Sequence, residues 1–215
     1  MRLFGTFGYR GLDRFPIWKG AKGVILMIIV MSSGMLPGCV IVRGDNLHLP
    51  ETWPPASNTE RIAISLSVTA KVLDGTRSNP KLVQSLECQS QKAYIESGLF
   101  TQINLSKEPA DLRAEIEYTE EGNMALARAS GFLCGFTLGM IPAVVRENII
   151  AVTTFRDRAG KELGSIRQSE MVSVWMQLFL IFAMPFRDEP QSIARSVYYD
   201  LNRATLEQAQ AKGIL

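Results

Sequence analysis

Histidine is almost missing from this 215-residue chain, which has only His48. Cysteine is scarce too, with three, at positions 39, 88 and 134. So little imidazole and thiol excludes histidine-based triads and the commonest zinc sites. Cys88 and Cys134 have no second ligand cluster beside them and no basic groups close in sequence to activate a thiolate. A phosphate-cradling loop is also absent, because "GTRSNPK" lacks the spacing and the closing Gly-Lys-Ser/Thr. Excess charge of one sign is missing as well: 23 basic residues face 21 acidic ones. Residues 1–38 hold five basic residues against Asp13 alone, which leaves the remainder with 18 basic and 20 acidic. A slightly acidic body is a poor nucleic-acid binder, since phosphate binding needs concentrated Lys and Arg. Carboxylates remain as acid/base candidates, and Glu115, Glu117, Glu120 and Glu121 cluster in one segment. Alternation with Ile116 and Tyr118 predicts that Glu115 and Glu117 line a solvated strand face rather than a paired-carboxylate centre. The expectation is a non-enzymatic protein with no cofactor and no metal site.

What the chain does have is apolar sequence in unusual places. After Lys22 and Gly23 comes "VILMIIVM", residues 24–31, then "SSGMLPG". A basic stretch, an apolar core of about 7–15 residues and small residues at its end describe a secretory signal peptide, here residues 1–38. The four residues Leu36-Pro37-Gly38-Cys39 resemble the lipobox of bacterial lipoproteins. Leu36 and Gly38 match it, and Pro37 departs from the commoner small residue at the most tolerant position. The resemblance implies cleavage between Gly38 and Cys39, and acyl chains (palmitate among them) on Cys39 as the new N-terminus. It also implies a body outside the cytoplasm. Val40, in place of an acidic residue, implies the periplasmic face of the outer membrane. The alternative is an uncleaved inner-membrane anchor: the 20 uncharged residues from Gly23 to Val42 reach the length that spans a bilayer.

Residues 39–60 read as a lipidated cysteine and a flexible tether, because "RGDNLHLPETWPPASNTE" is rich in Pro, Asp, Asn and Ser. His48 lies there, away from any folded centre. Residues 61–215 read as one α+β domain. "RIAISLSVTAKVL" alternates with period two, as a half-buried strand does. Asn79-Pro80 caps a helix that runs to Gly98, its apolar face formed by Leu82, Val83, Leu86, Ala93 and Ile95. "LFTQINLS" and "DLRAEIEYTE" are strands, and residues 147–170 form a hairpin turning at Asp157 to Lys161. The last segment is an amphipathic helix with Ile193, Val197 and Leu201 spaced by four, widened by Ala194 and Tyr198. The order β-α-β-β-β-β-α predicts a mostly antiparallel sheet with two helices on one face. The segment "ESGLFTQINLSKEPADLRAEIEY", residues 96–118, resembles a recurring segment of small periplasmic lipoprotein domains; that resemblance concerns fold and implies no activity.

Two apolar segments, residues 129–145 and 171–186, fit a plain domain poorly. They hold 17 and 16 uncharged residues, at or below the lower limit for a spanning helix. Closing the 147–170 hairpin brings them side by side at the end opposite its turn. One reading makes them core, as a central strand and a short buried helix. A second makes them a paired apolar projection that meets the bilayer or a membrane partner through Phe132, Phe136, Leu138, Met140, Ile141, Trp175, Leu178, Phe179, Leu180 and Phe182. Two full spans are the third. Ser130, Gly131, Gly135 and Gly139 recur about every four residues, which on a helix makes a small-residue face for close approach of another helix. Thr137-Leu138-Gly139-Met140-Ile141-Pro142, followed by Trp175, Leu178 and Pro185, resembles a pattern of uncharacterised bacterial lipoproteins and implies no activity. An oxidising compartment permits a Cys88–Cys134 disulfide, though two buried free thiols are the expectation. The function expected is that of a lipid-anchored envelope protein acting through protein–protein contacts, as a scaffold, assembly or accessory factor. The alternative is a lipid- or amphiphile-binding module that uses the two apolar segments.

Overall fold

The structure is a computed structural model that describes residues 38–55, 61–71, 79–105, 110–182 and 190–215. All lie in one compact unit. In chain order the elements are β1 (Gly38–Arg43), β2 (Ile62–Lys71), α1 (Pro80–Ser97), β3 (Phe100–Asn104), β4 (Leu112–Gly122), α2 (Met124–Phe136), β5 (Ala143–Asp157), β6 (Glu162–Gln177), a 3₁₀ turn (Leu178–Phe182) and α3 (Pro190–Ala211).

The strands form one six-stranded sheet in the order β1-β6-β5-β4-β2-β3. β1, β6, β5 and β4 pair antiparallel, while β2 runs parallel to both β3 and β4. The class is α+β, as expected, but the sheet is mixed rather than mostly antiparallel. The cause is α1, whose length allows the crossover that a parallel β2–β3 pair requires. The expected element order also lacks one strand and one helix. β1 forms because Cys39 to Val42 are apolar and largely β-branched, and pair along β6. α2 forms because Asn123 caps it, its side-chain oxygen accepting from Leu126 N at 2.9 Å.

Alternation fixes which face is core. Ile64, Leu66, Val68 and Ala70 of β2, Leu112, Ala114, Ile116 and Tyr118 of β4, and Ala151 and Phe155 of β5 are all buried on the same side. There they meet α1 and α3, which also pack on each other. α3 follows its sequence stripe, with Val197, Leu201, Leu206 and Ala209 fully buried. The caps of α1 are as read: Asn79 Oδ1 accepts from Lys81 N at 2.7 Å, and Gly98 takes φ 66° as a left-handed C-cap. Its buried face differs. Leu86, Ser90, Ala93, Tyr94 and Ser97 turn inward, while Ile95 is exposed.

Polarity at that helix joint has a partner. Tyr118 OH accepts from Asn202 Nδ2 at 2.7 Å and lies 2.9 Å from Ser90 Oγ, so sheet, α1 and α3 share one buried knot. Asn202 Nδ2 also donates to Tyr198 O at 2.7 Å, and the Tyr198 ring meets Tyr118 edge-on with centroids 5.3 Å apart. Burial, outweighing the hydrogen bonds from Ser90 and Asn202, raises the Tyr118 phenol above its ordinary range and keeps it neutral. Tyr118→Phe leaves Asn202 and Ser90 short of their shared partner, and is expected to cost about 1–3 kcal/mol in urea denaturation. An unchanged midpoint would show that the knot adds nothing to stability.

Candidate functional site

The expected lipid-bearing residue opens the edge strand. Gly38 and Cys39 begin β1, and Cys39 stands opposite Met176 of β6. Residues 39–43 thus belong to the sheet, which corrects the expectation of a tether starting at Cys39. The residues that follow are held as well. Gly44 N donates to Met171 O at 2.7 Å, Trp53 Nε1 donates to Tyr199 OH at 3.1 Å, and the Arg203 guanidinium lies 5.0 Å from the Trp53 ring centroid. Residues 56–60, also assigned to the tether, lie outside the described residues.

Arg43 is the lock on this segment. Its Nη1 donates to Asp200 Oδ2 at 2.7 Å on α3, and its Nη2 lies 3.7 Å from Glu170 Oε2 on β6. Arg203 also reaches Asp200, at 3.3 Å. Burial pushes the Glu170 carboxyl above the ordinary range, and the Arg43 charge opposes that shift. The sequence reading missed this cluster, whose members are spread over positions 43, 170, 200 and 203. The available signal was Glu170 itself, a charge at the head of an apolar run.

The two apolar segments do meet. Cys134 Sγ on α2 donates to Met176 O at 3.6 Å, and Leu178 N donates to Gly139 O at 3.0 Å. Gly139 has φ 80°, and a Cβ there would lie 2.9 Å from Leu178 N, so this crossing requires glycine. Ser130 Oγ reaches Val144 O at 3.4 Å. Between α2 and the sheet lies a groove of about 320 Å³ lined by Leu126, Ala127, Ser130 and Pro142 with Val144 and Trp175. Val144 and Trp175 alternate onto the sheet face opposite α1 and α3.

None of the proposed contact residues whose side chains are described is buried. Phe132 and Phe136 on α2 are 75% and 79% exposed, and their rings stack with centroids 6.3 Å apart. Leu138 is 74% exposed; Met140, Ile141, Trp175 and Phe179 are exposed too, while Leu178 and Leu180 are half-buried. The side chain of Phe182 and all of residues 183–186 lie outside the described residues. Among the described residues no helix is long and apolar enough to cross a membrane. Of the expected small-residue face, Ser130 and Gly139 make close contacts, whereas a Cβ on Gly131 or Gly135 would meet nothing within 4 Å.

Of the remaining candidates, Glu115 and Glu117 line one shallow pocket with Ser67, Thr69 and Thr154. Glu115 pairs with Arg156 at 3.1 Å and Glu117 with Lys71, on the sheet face away from the main helices. Cys88 and Cys134 are free; Cys134 is buried, but Cys88 is exposed, because α1 turns it away from the Leu86–Ser90–Ala93 face. Among the described residues no group of three His, Cys, Asp or Glu is placed to hold a metal. Glu120, grouped in sequence with Glu115 and Glu117, instead accepts from Tyr198 OH at 3.1 Å and lies near Glu147.

No protein-family model matches the chain, and no curated protein matches it. Among solved structures, a minor lipoprotein from Acinetobacter baumannii is similar over 70% of this chain and 91% of its own, at 17% identity and TM-score 0.40. Two dodecamers of PelC from Paraburkholderia phytofirmans, one of them a point variant, are similar at 9% and 8% identity. They cover 79% and 77% of this chain and 96% of each of theirs, with TM-scores of 0.34 and 0.33. At such values these likenesses carry no inference about role.

The charged groups generate two predictions. Arg43→Met strands Glu170 and part of Asp200, and is expected to cost about 3 kcal/mol at neutral pH in urea denaturation. The loss should shrink on acidification, as Glu170 takes up a proton; equal midpoints at neutral pH would remove the lock. Burial raises both Glu120 and Glu147, and the Glu120 charge adds to the shift of Glu147. The folded state thus binds protons that the unfolded chain has released, so both groups favour folding at low pH. That contribution is lost as pH rises from the ordinary carboxyl range through the raised values. Glu147→Gln should raise the thermal midpoint at pH 8 and leave it unchanged near pH 4.

Proposed function

We propose that this chain is a bacterial lipoprotein of the cell envelope, cleaved between Gly38 and Cys39 and held by acyl chains on Cys39. Its α+β domain acts without catalysis, through protein contacts, as a scaffold, assembly or accessory factor at the periplasmic face of the outer membrane. The observation that carries the reading is the place of the lipobox cysteine. Cys39, which would be the first residue after such cleavage, is the first side chain of an edge strand. An anchor there is joined to the sheet without slack, and several acyl chains hold far more firmly than one. Protein contact is supported by the two ends of the sheet, β1 and β3, whose outer edges have no strand partner among the described residues.

A second reading, amphiphile binding, is favoured by one observation: the groove under α2 is lined from both apolar segments, with Trp175 on one side and Leu126 and Pro142 on the other.

Metabolic labelling of the full chain with a fatty-acid analogue in a Gram-negative host tests the anchor. Wild type should take up label and float with outer-membrane fractions, and Cys39→Ser should take up none. Equal labelling of the two would sink the lipoprotein reading. Mild crosslinking in the same cells should give discrete higher-mass species; monomer alone would count against a contact role. A co-purified lipid in native mass spectra of the mature protein would favour amphiphile binding instead.

A further inference from the structure

We infer that the end of the domain formed by α2, the turn at residues 137–141 and the 3₁₀ turn is a bilayer-docking face, seated at the boundary between headgroups and acyl chains. The inference rests on the reading of Cys39 as the lipid-bearing residue and adds a second, independent contact to it.

Position is the first argument. Met176 is the strand partner of Cys39, and its carbonyl accepts from Cys134 of α2. Paired strands lie about 4.8 Å apart, so the anchor enters the domain within a few residues' width of the apolar face. The bilayer holding that anchor is therefore the apolar medium nearest to it.

Construction is the second argument. Leu138 has φ 54°, in the left-handed region, and it is exposed. A non-glycine residue costs about 1–2 kcal/mol there, and Leu138 gains little burial from its own chain in return. The N–H groups of the turn that imposes this are paired. Leu138 N donates to Gly135 O at 3.1 Å, Gly139 N to Cys134 O at 2.7 Å and Met140 N to Thr137 O at 3.0 Å. Thr137 Oγ1 donates to Leu133 O at 2.9 Å and accepts from Ile141 N at 3.1 Å. The donors from Leu138 to Ile141 are thus paired within the turn, which lowers the cost of entering an apolar medium, while Leu138, Met140 and Ile141 are exposed.

Charge is the third. From Asn123 to Arg146 the sequence has no acidic residue and two basic ones, Arg128 and Arg146, both exposed. An apolar segment that carries arginine and no carboxylate complements anionic headgroups. Exposed apolar area of this size on an unanchored monomer would be a liability.

The test places the photoreactive residue p-benzoylphenylalanine at Phe132, Phe136 or Leu138 of the full chain. Leu163 at the far end of β6, also exposed, serves as the control. Cells grown with a clickable phospholipid precursor are irradiated, and adducts are read on the purified protein. Lipid adducts at 132, 136 and 138, and none at 163, are expected. Adducts to protein at those three positions, a second copy of the chain included, would overturn the inference, as would no adduct at all. Fatty-acid labelling of Cys39 in the same cells reads the anchor separately. Lipid adducts without that label would uphold the face and overturn the anchor; label without adducts would do the reverse.

Discussion

One guanidinium settles how the N-terminal segment joins the domain. Arg43 is the last residue of β1, and it bonds Asp200 on α3 while neutralising Glu170 on β6. A buried ion pair is weak evidence of net stability, but it is strong evidence of register. Slipping β1 by one residue would turn Arg43 to the opposite face, strand Glu170 and leave Asp200 with Arg203 alone. Strand pairing alone, over six residues at a sheet edge, has no comparable penalty against sliding. With Arg43 in place, Cys39 has one position, opposite Met176.

The domain consequently has two unlike ends. Around Tyr118, Ser90 and Asn202 the sheet is covered by α1 and α3, and polar side chains there find partners inside. At the other end of the β5–β6 hairpin, α2 covers the sheet only partly, and its aromatic residues stack on each other rather than on the core. The polar sheet face opposite α1 and α3 carries Glu115 and Glu117, each matched to a separate cation. These ion pairs keep charge on that face.

Much of this was legible in the sequence where the signal was local. Period-two alternation located β2 and β4, Asn79-Pro80 and Gly98 bounded α1, and Asp157 to Lys161 marked the hairpin turn. That hairpin in turn placed the two apolar segments together. The remainder depended on partners far along the chain. β1 was read as tether because the prolines after it dominate local composition, while the strand exists through β6, more than a hundred residues further along the chain. Parallel pairing of β2 with β4 leaves no mark in either strand, since alternation does not encode direction. The buried face of α1 was misjudged because Ile95 outranks Ser90 in hydrophobicity. Ser90 is inside because Tyr118 offers it a hydrogen bond, which apolar counting ignores. Whether an apolar helix is covered likewise depends on what packs over it, so the exposure of Phe132 and Phe136 had no signature in their spacing.

The pairing of Cys39 with Met176 also orders events in time. Nearly the whole domain lies between them in sequence, so β1 finds its edge only once β6 has been delivered and paired with β5. Contacts of such long range close late. Once closed, they leave the thiol half-covered, with burial raising its pKa and lowering its reactivity. The proposed acylation therefore belongs to the exported chain before β1 docks. That reaction would meet an uncovered thiol before the strand pairs and a half-covered one afterwards.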